Sequence, residues 1–142
     1  MSIPIYVINL KRDIEKREYI CSMLEAQSLE FTLVDAVEGV NLSSGEITEC
    51  YDKNLAVSHI GREMSRGEIG CALSHLYIYN EIINKNESYA LVLEDDATML
   101  NNIHLIFDNI KKLPSELELL LLGYHSNPHN HQQADYSFWQ QE

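Results

Sequence analysis

The sequence predicts an α/β domain with a mostly parallel sheet and helices on both faces. Two observations carry this prediction. Short β-rich runs alternate with stretches of helical periodicity. The first of these β-rich runs, Pro4 to Asn9, also lacks strict alternation, as expected for a strand covered on both sides. The order reads strand, helix, strand, irregular segment, helix, strand, helix, strand. The right-handed crossover rule then favours a parallel sheet, and ligands of such sheets lie beyond the carboxyl ends of the strands.

Each element has its own signal. Pro4 to Asn9 is a β-rich run without alternation. Asp13 to Gln27 has helical spacing, with Ile14, Ile20, Met23 and Leu24 able to share a face and Asp13 placed as N-cap. Phe31 to Val34 reads as a second strand. Asp35 to Arg66 is irregular, with turn signals at Glu38-Gly39 and Ser43-Ser44-Gly45 and some helical character from Ile47 to Tyr51. Such a long irregular segment is a candidate rim or lid. From Gly67, the residues Ile69, Leu73, Leu76, Ile82 and Ile83 outline a helix that ends near Lys85-Asn86. Tyr89 to Leu93 is a buried-type strand running into Glu94-Asp95-Asp96. Ile103 to Leu113 is an amphipathic helix stopped by Pro114, and Leu117 to Leu122 reads as a last strand closing on Gly123. The expected organisation is a domain over residues 1–123 and a polar tail over 124–142.

Composition narrows the function. The chain has 142 residues, 45% of them apolar, which is enough for one domain with a real core. With 22 acidic against 10 basic residues the formal charge is −12. That balance argues against a nucleic-acid binder, which needs cations to displace phosphate counterions. It also opposes unaided adhesion to an anionic membrane. Cys21, Cys50 and Cys71 are odd in number and form no CxxC pair, so unpaired thiols in a reducing compartment are expected. The N-terminal apolar run lacks a basic leader and is too short to span a bilayer. A cytoplasmic protein without a transmembrane segment is the expectation.

Glu94-Asp95-Asp96 is the first candidate site. On a strand, Glu94 and Asp96 would point to one side and Asp95 to the other. At ~4 Å and an effective dielectric of ~20, each like-charge pair costs about 4 kcal/mol before screening. A divalent cation reverses that sign, and Mg²⁺ or Mn²⁺ takes carboxylate, phosphate and water oxygens. A solvated acidic turn or a helix cap is the plainer alternative.

Two further segments are candidates. Asn9 to Asp13 follows the first strand, and Arg17 lies in the next helix; arginine forks suit phosphates. Lys11, Arg12, Lys16 and Arg17 also fit an ordinary solvated helix face with an Asp13–Arg17 pair. Asp35 is placed to reach a ribose or to cap. Gly67 to His75 opens a helix in which Gly70 and Ser74 share a face and permit close approach of a backbone or a ligand. A tight packing seam with His75 satisfied internally is the alternative there. Cys71 and His75 are also i,i+4, but no third group is visible in sequence to orient such a pair. His125, His129 and His131 have loose spacing and no accompanying cysteine, and read as polar tail rather than a zinc site.

Taken jointly, these segments resemble glycosyltransferase family 25, the bacterial lipooligosaccharide galactosyltransferase group. The matching features are Ile8-Asn9-Leu10 with Arg17, Phe31 with Asp35-Ala36-Val37-Glu38-Gly39, Gly67 to His75, and Leu93-Glu94-Asp95-Asp96. The likeness covers roughly residues 3 to 123 and corresponds to the N-terminal half of the family. It implies a GT-A type, Rossmann-like domain that is C-terminally truncated relative to the family. It implies a UDP-sugar donor, often UDP-galactose, a saccharide acceptor of lipooligosaccharide type, and Mn²⁺ or Mg²⁺ held by Glu94 and Asp96. The donor segment would comprise Asn9, Leu10, Arg17, Asp35, Ser74, His75, Glu94 and Asp95. Hexosyl transfer with inversion is expected, assisted by a carboxylate base that this sequence does not identify. The setting would be the inner face of the cytoplasmic membrane, with peripheral membrane association or homo-oligomerisation both compatible. A donor-binding module without catalysis, and a purely structural or interaction domain, are the competing classes.

Overall fold

A computed structural model describes residues 3–98 and 103–122 of the chain. The chain divides into two units, residues 1–108 and 109–142. The first holds three strands, β1 (Ile5–Asn9), β2 (Thr32–Asp35) and β3 (Leu91–Glu94), in a parallel sheet of order β2-β1-β3. Register places Asn9 opposite Asp35 and Ile8 opposite Glu94. The carboxyl ends of all three strands therefore meet at one edge.

β1 is central and all five of its residues are buried. This is why its sequence lacks alternation: both faces are covered. On one face Ile5, Val7 and Leu91 pack with Ile20 and Leu24 of α1 (Ile14–Ala26) and Ile103 of α5 (Ile103–Asn109). On the other, Tyr6 and Ile8 pack against Ile78 of α4 (Arg66–Asn84). Helices cover both faces, as the sequence predicts. The buried Tyr6 keeps its hydroxyl satisfied by donating to Glu87 at 2.9 Å and accepting from Lys85 at 3.1 Å.

Several local expectations change. Ile14 is 61% exposed and joins neither core cluster, because it sits in the first turn of α1, ahead of the residues that reach the sheet. Asp13 occupies the N-cap position but its side chain makes no capping bond. It lies 3.8 Å from Arg12 instead, and Arg17 contributes only its backbone N–H to the Asp13 carbonyl. On α4, Leu76 and Ile83 are exposed, while Ile69, Gly70, Ser74 and Ile78 face inward. The buried stripe thus includes small residues that a search for large apolar ones overlooks.

The irregular segment contains a 3₁₀ turn at Gly39–Asn41 and two short helices, α2 (Ser44–Cys50) and α3 (Lys53–Ile60). Ser43 and Glu46 form a reciprocal capping box at α2, and Asp52 caps α3 through the Leu55 N–H. Gly61 ends α3 with φ of 76°, a conformation that favours glycine. A second capping box, Ser65 with Glu68, starts α4.

In the second unit, residues 110–112 form a 3₁₀ turn. The strand expected from Leu117 to Leu122 does not form, and Leu119 and Leu121 are 64% and 79% exposed. An apolar run has strand propensity but becomes a strand only when another edge supplies its hydrogen bonds. The tail with His125, His129 and His131 lies outside the described residues. Among the described residues no helix is long and apolar enough to cross a membrane.

Candidate functional site

A cleft of about 230 Å³ opens at the carboxyl edge of the sheet. β1 contributes Ile8 and is followed by Leu10, Arg12 and Asp13. The segment after β2 contributes Ala36 to Val40. Helix α4 contributes Gly67, Cys71 and Ser74, and β3 contributes Glu94 with Asp95 and Asp96 just beyond it. This is where the parallel-sheet rule expects a ligand.

The three carboxylates have three environments. β3 ends at Glu94, and Asp95-Asp96 is a turn closed by the Ala97 N–H on the Glu94 carbonyl at 3.0 Å. Asp95 is therefore sent inward by a turn, not by strand alternation. It is 9% exposed and accepts from Asn9 Nδ2 at 2.8 Å and from Lys16 Nζ at 3.4 Å. The negative charge of Asp95, together with the hydrogen bond it accepts, raises the Lys16 ammonium above its ordinary pKa. Asn9 is itself buried and also donates to the Asp13 carbonyl at 3.2 Å. Asp95 and Asn9 thus tie β3, β1 and the start of α1 together.

Glu94 turns toward α4. Its Oε1 lies 3.2 Å from His75 Nε2 and 3.7 Å from Cys71 Sγ. This supplies the third group that sequence spacing alone cannot reveal. Partial desolvation, reinforced by the Glu94 charge, pushes the thiol of the otherwise exposed Cys71 up, so it is held as a thiol rather than a thiolate nucleophile. Asp96 is exposed, takes no hydrogen bond or ion pair among the described residues, and lines the cleft. Glu94 and Asp96 thus retain carboxylate oxygens on the cleft wall, the donor type that hard divalent cations take.

Ser74 is 1% exposed and hydrogen-bonded within the fold. Its Oγ accepts from the Val37 N–H and donates to the Gly70 carbonyl, both at 2.8 Å. The segment after β2 is pinned onto α4 at this point. The approach needs two glycines: a Cβ on Gly70 would sit 2.4 Å from the Val37 carbonyl oxygen, and one on Gly39 would sit 1.7 Å from the Arg66 carbonyl oxygen. The small residues of α4 are a packing seam that forms one wall of the cleft.

The remaining predicted residues are spread out. Leu10 lines the cleft. Asp35 ends β2 and pairs with Lys11 at 3.0 Å in an exposed setting. Arg17 is exposed on α1 and does not line the cleft. The cations that do line it are Arg12, paired with Glu38 at 3.1 Å, and Lys16. Their signal in the sequence was their i,i+4 spacing directly after the first strand, which also fits a solvated helix face.

Comparison with known proteins gives a consistent result. A family model described as glycosyltransferase family 25 (LPS biosynthesis protein) matches residues 2–140. Human procollagen galactosyltransferase 2 is 30% identical over 153 aligned residues, covering 95% of this chain and 24% of that protein. Procollagen galactosyltransferase 1-B of Xenopus laevis is 40% identical over 95 residues, 65% of this chain and 16% of its own. Human inactive glycosyltransferase 25 family member 3 is 29% identical over 131 residues, 84% and 21% respectively. The chain spans no more than about a quarter of the length of these relatives.

Proposed function

The chain belongs to glycosyltransferase family 25, and from that membership we propose that its cleft binds a UDP-hexose, UDP-galactose in the first instance, for transfer to a saccharide acceptor. The observation that carries this reading is the placement of Glu94 and Asp96 on the wall of a cleft at the carboxyl edge of a parallel sheet. Galactose as the sugar follows the names of the procollagen galactosyltransferase relatives. A lipopolysaccharide-type acceptor follows the family description, and with it action at the cytoplasmic face of a membrane.

Glu94 and Asp96 are the residues that would hold Mn²⁺ or Mg²⁺. Such a cation, when bound, neutralises charge on a departing diphosphate. The protein's own groups do the rest. Arg12 and Lys16 offer cationic N–H donors for phosphate oxygens. Asn9 and Asp95 fix the edge from which the acidic turn projects. Ser74 and the glycine seam hold the wall formed by residues 36–40 in place. A thermal-shift measurement with UDP-galactose, with and without Mn²⁺, tests the reading. Saturating ligand should stabilise the chain by a few kcal/mol, and no shift with donor and metal together would reject it.

A second reading has one observation in its favour, the relative named as inactive. In that reading the chain binds the donor without transferring it. Hydrolysis of UDP-galactose by the purified chain separates the two.

A further inference from the structure

We infer that Cys71, His75 and Glu94 form a binding site for a thiophilic divalent ion, Zn²⁺ in the first instance, distinct in chemistry from the hard-cation site proposed at Glu94 and Asp96. The donor atoms come from two separate elements. Cys71 and His75 are one turn apart on α4, and Glu94 closes β3 across from them. One ligand atom from each lies within 4.8 Å of the other two. Two of the edges are the 3.2 Å from His75 Nε2 to Glu94 Oε1 and the 3.7 Å from Cys71 Sγ to the same oxygen. Tetrahedral zinc with ligands at ~2.1 Å and ~2.3 Å sets its donor atoms about 3.6 Å apart. The trio is therefore near zinc-binding separation before any side chain moves.

The donor types select the ion. Sulfur, imidazole nitrogen and one carboxylate oxygen suit Zn²⁺ or Co²⁺, whereas Mg²⁺ and Mn²⁺ favour oxygen alone. Three protein ligands leave a fourth position open to water or an incoming group. Access is direct, because the side chains of His75 and Glu94 are 27% and 52% exposed and Cys71 is exposed. On binding, the thiol proton leaves to solvent and the sulfur enters as thiolate. The backbone around the trio is already fixed, since Gly70 and Ser74 of the same helix are pinned to residues 37–39. The inference concerns the free chain and needs no donor nucleotide.

Cobalt gives a readout independent of activity. The full chain, kept reduced, is titrated with Co²⁺ and followed by absorption. A near-ultraviolet thiolate-to-cobalt charge-transfer band that saturates at one equivalent and is abolished by Zn²⁺ is the expected result. Cys71→Ser should lose the band, and His75→Ala should weaken binding by about tenfold or more. Cys71 is exposed, so its serine variant should keep the fold, which circular dichroism checks. Asp96→Asn should leave the band intact, which separates this site from the one proposed for the donor. A wild-type chain without the band, a band that persists in Cys71→Ser, or one lost in Asp96→Asn would each overturn the assignment. Histidines of the tail cannot mimic the signal, since the band requires sulfur.

Discussion

The side-chain amide of Asn9, at the end of β1, donates to a carboxylate oxygen of Asp95 at 2.8 Å across 86 residues of sequence. The central member of the acidic trio is thereby a structural tie, and the outer two are left on the cleft wall. Asn9→Ala leaves a buried carboxylate with Lys16 as its remaining partner among the described residues. The expected cost is about 1–3 kcal/mol, read as a lower urea midpoint at unchanged slope. Glu94→Gln, at an exposed position, should stay within about 0.5 kcal/mol of wild type. Equal midpoints for the two variants would show that the Asn9–Asp95 bond contributes nothing.

Asp96→Asn tests the opposite behaviour. Asp96 is exposed and takes no hydrogen bond or ion pair among the described residues, so unliganded stability should change little. Calorimetric binding of UDP-galactose with Mn²⁺ should disappear. A variant that retains wild-type affinity removes Asp96 from the proposed donor site.

Gly70 and Gly67 should respond oppositely to alanine. At Gly70 the new methyl meets backbone at 2.4 Å and 2.7 Å. Overpacking of this kind costs roughly 1–3 kcal/mol, more than the roughly 1 kcal/mol gained in helix propensity. At Gly67 the nearest atom within reach is the Ser65 Oγ at 3.9 Å, so Gly67→Ala should be neutral or stabilising by up to about 1 kcal/mol. Thermal unfolding of both variants checks the pair, and a stabilised Gly70→Ala would contradict the packing seam.

Acid should weaken the start of α4. Hydrogen bonds from Arg62, and then from Ser65, hold the Glu68 carboxyl down at about 2 against an ordinary 4.5. Between those values the unfolded chain binds more protons than the folded one. The stabilising contribution is therefore complete above the ordinary value and is lost as pH falls toward about 2. Wild type should lose melting temperature more steeply than Glu68→Gln through that window. Parallel curves would mean that the Arg62–Glu68 contact, 2.6 Å at its shortest, is too solvated to matter.

Much of the fold was legible because its signals are local. The continuous apolar run of β1 announced a strand covered on both faces, and the spacing of Ile20 and Leu24 announced the inner side of α1. Helices α2 and α3 carry local signals too, Ser43 with Glu46 and Asp52, which the glycine and serine turn residues around them mask. Leu117 to Leu122 shows the reverse case, since a strand requires a partner edge that no property of the run itself provides.

The chemistry divides in the same way. The sequence alone determined that an acidic tripeptide closes an apolar strand, that acidic residues outnumber basic ones by 22 to 10, and that Cys71 and His75 share one helix face. These depend on residue type and on the fixed periods of helix and strand. Tertiary structure alone decided that Asp95 turns inward to Asn9 while Glu94 reaches Cys71 and His75. It also decided that the Ser74 hydroxyl joins Val37 to Gly70 in the wall of the cleft. Those outcomes depend on the parallel register that sets Glu94 beside Ile8 and on the close approach of residues 37–39 to α4, where the Val37 N–H reaches Ser74 Oγ at 2.8 Å. Hydrogen bonding and steric exclusion act over a few ångströms, so contacts between residues tens of positions apart exist only once the sheet has brought the backbones together.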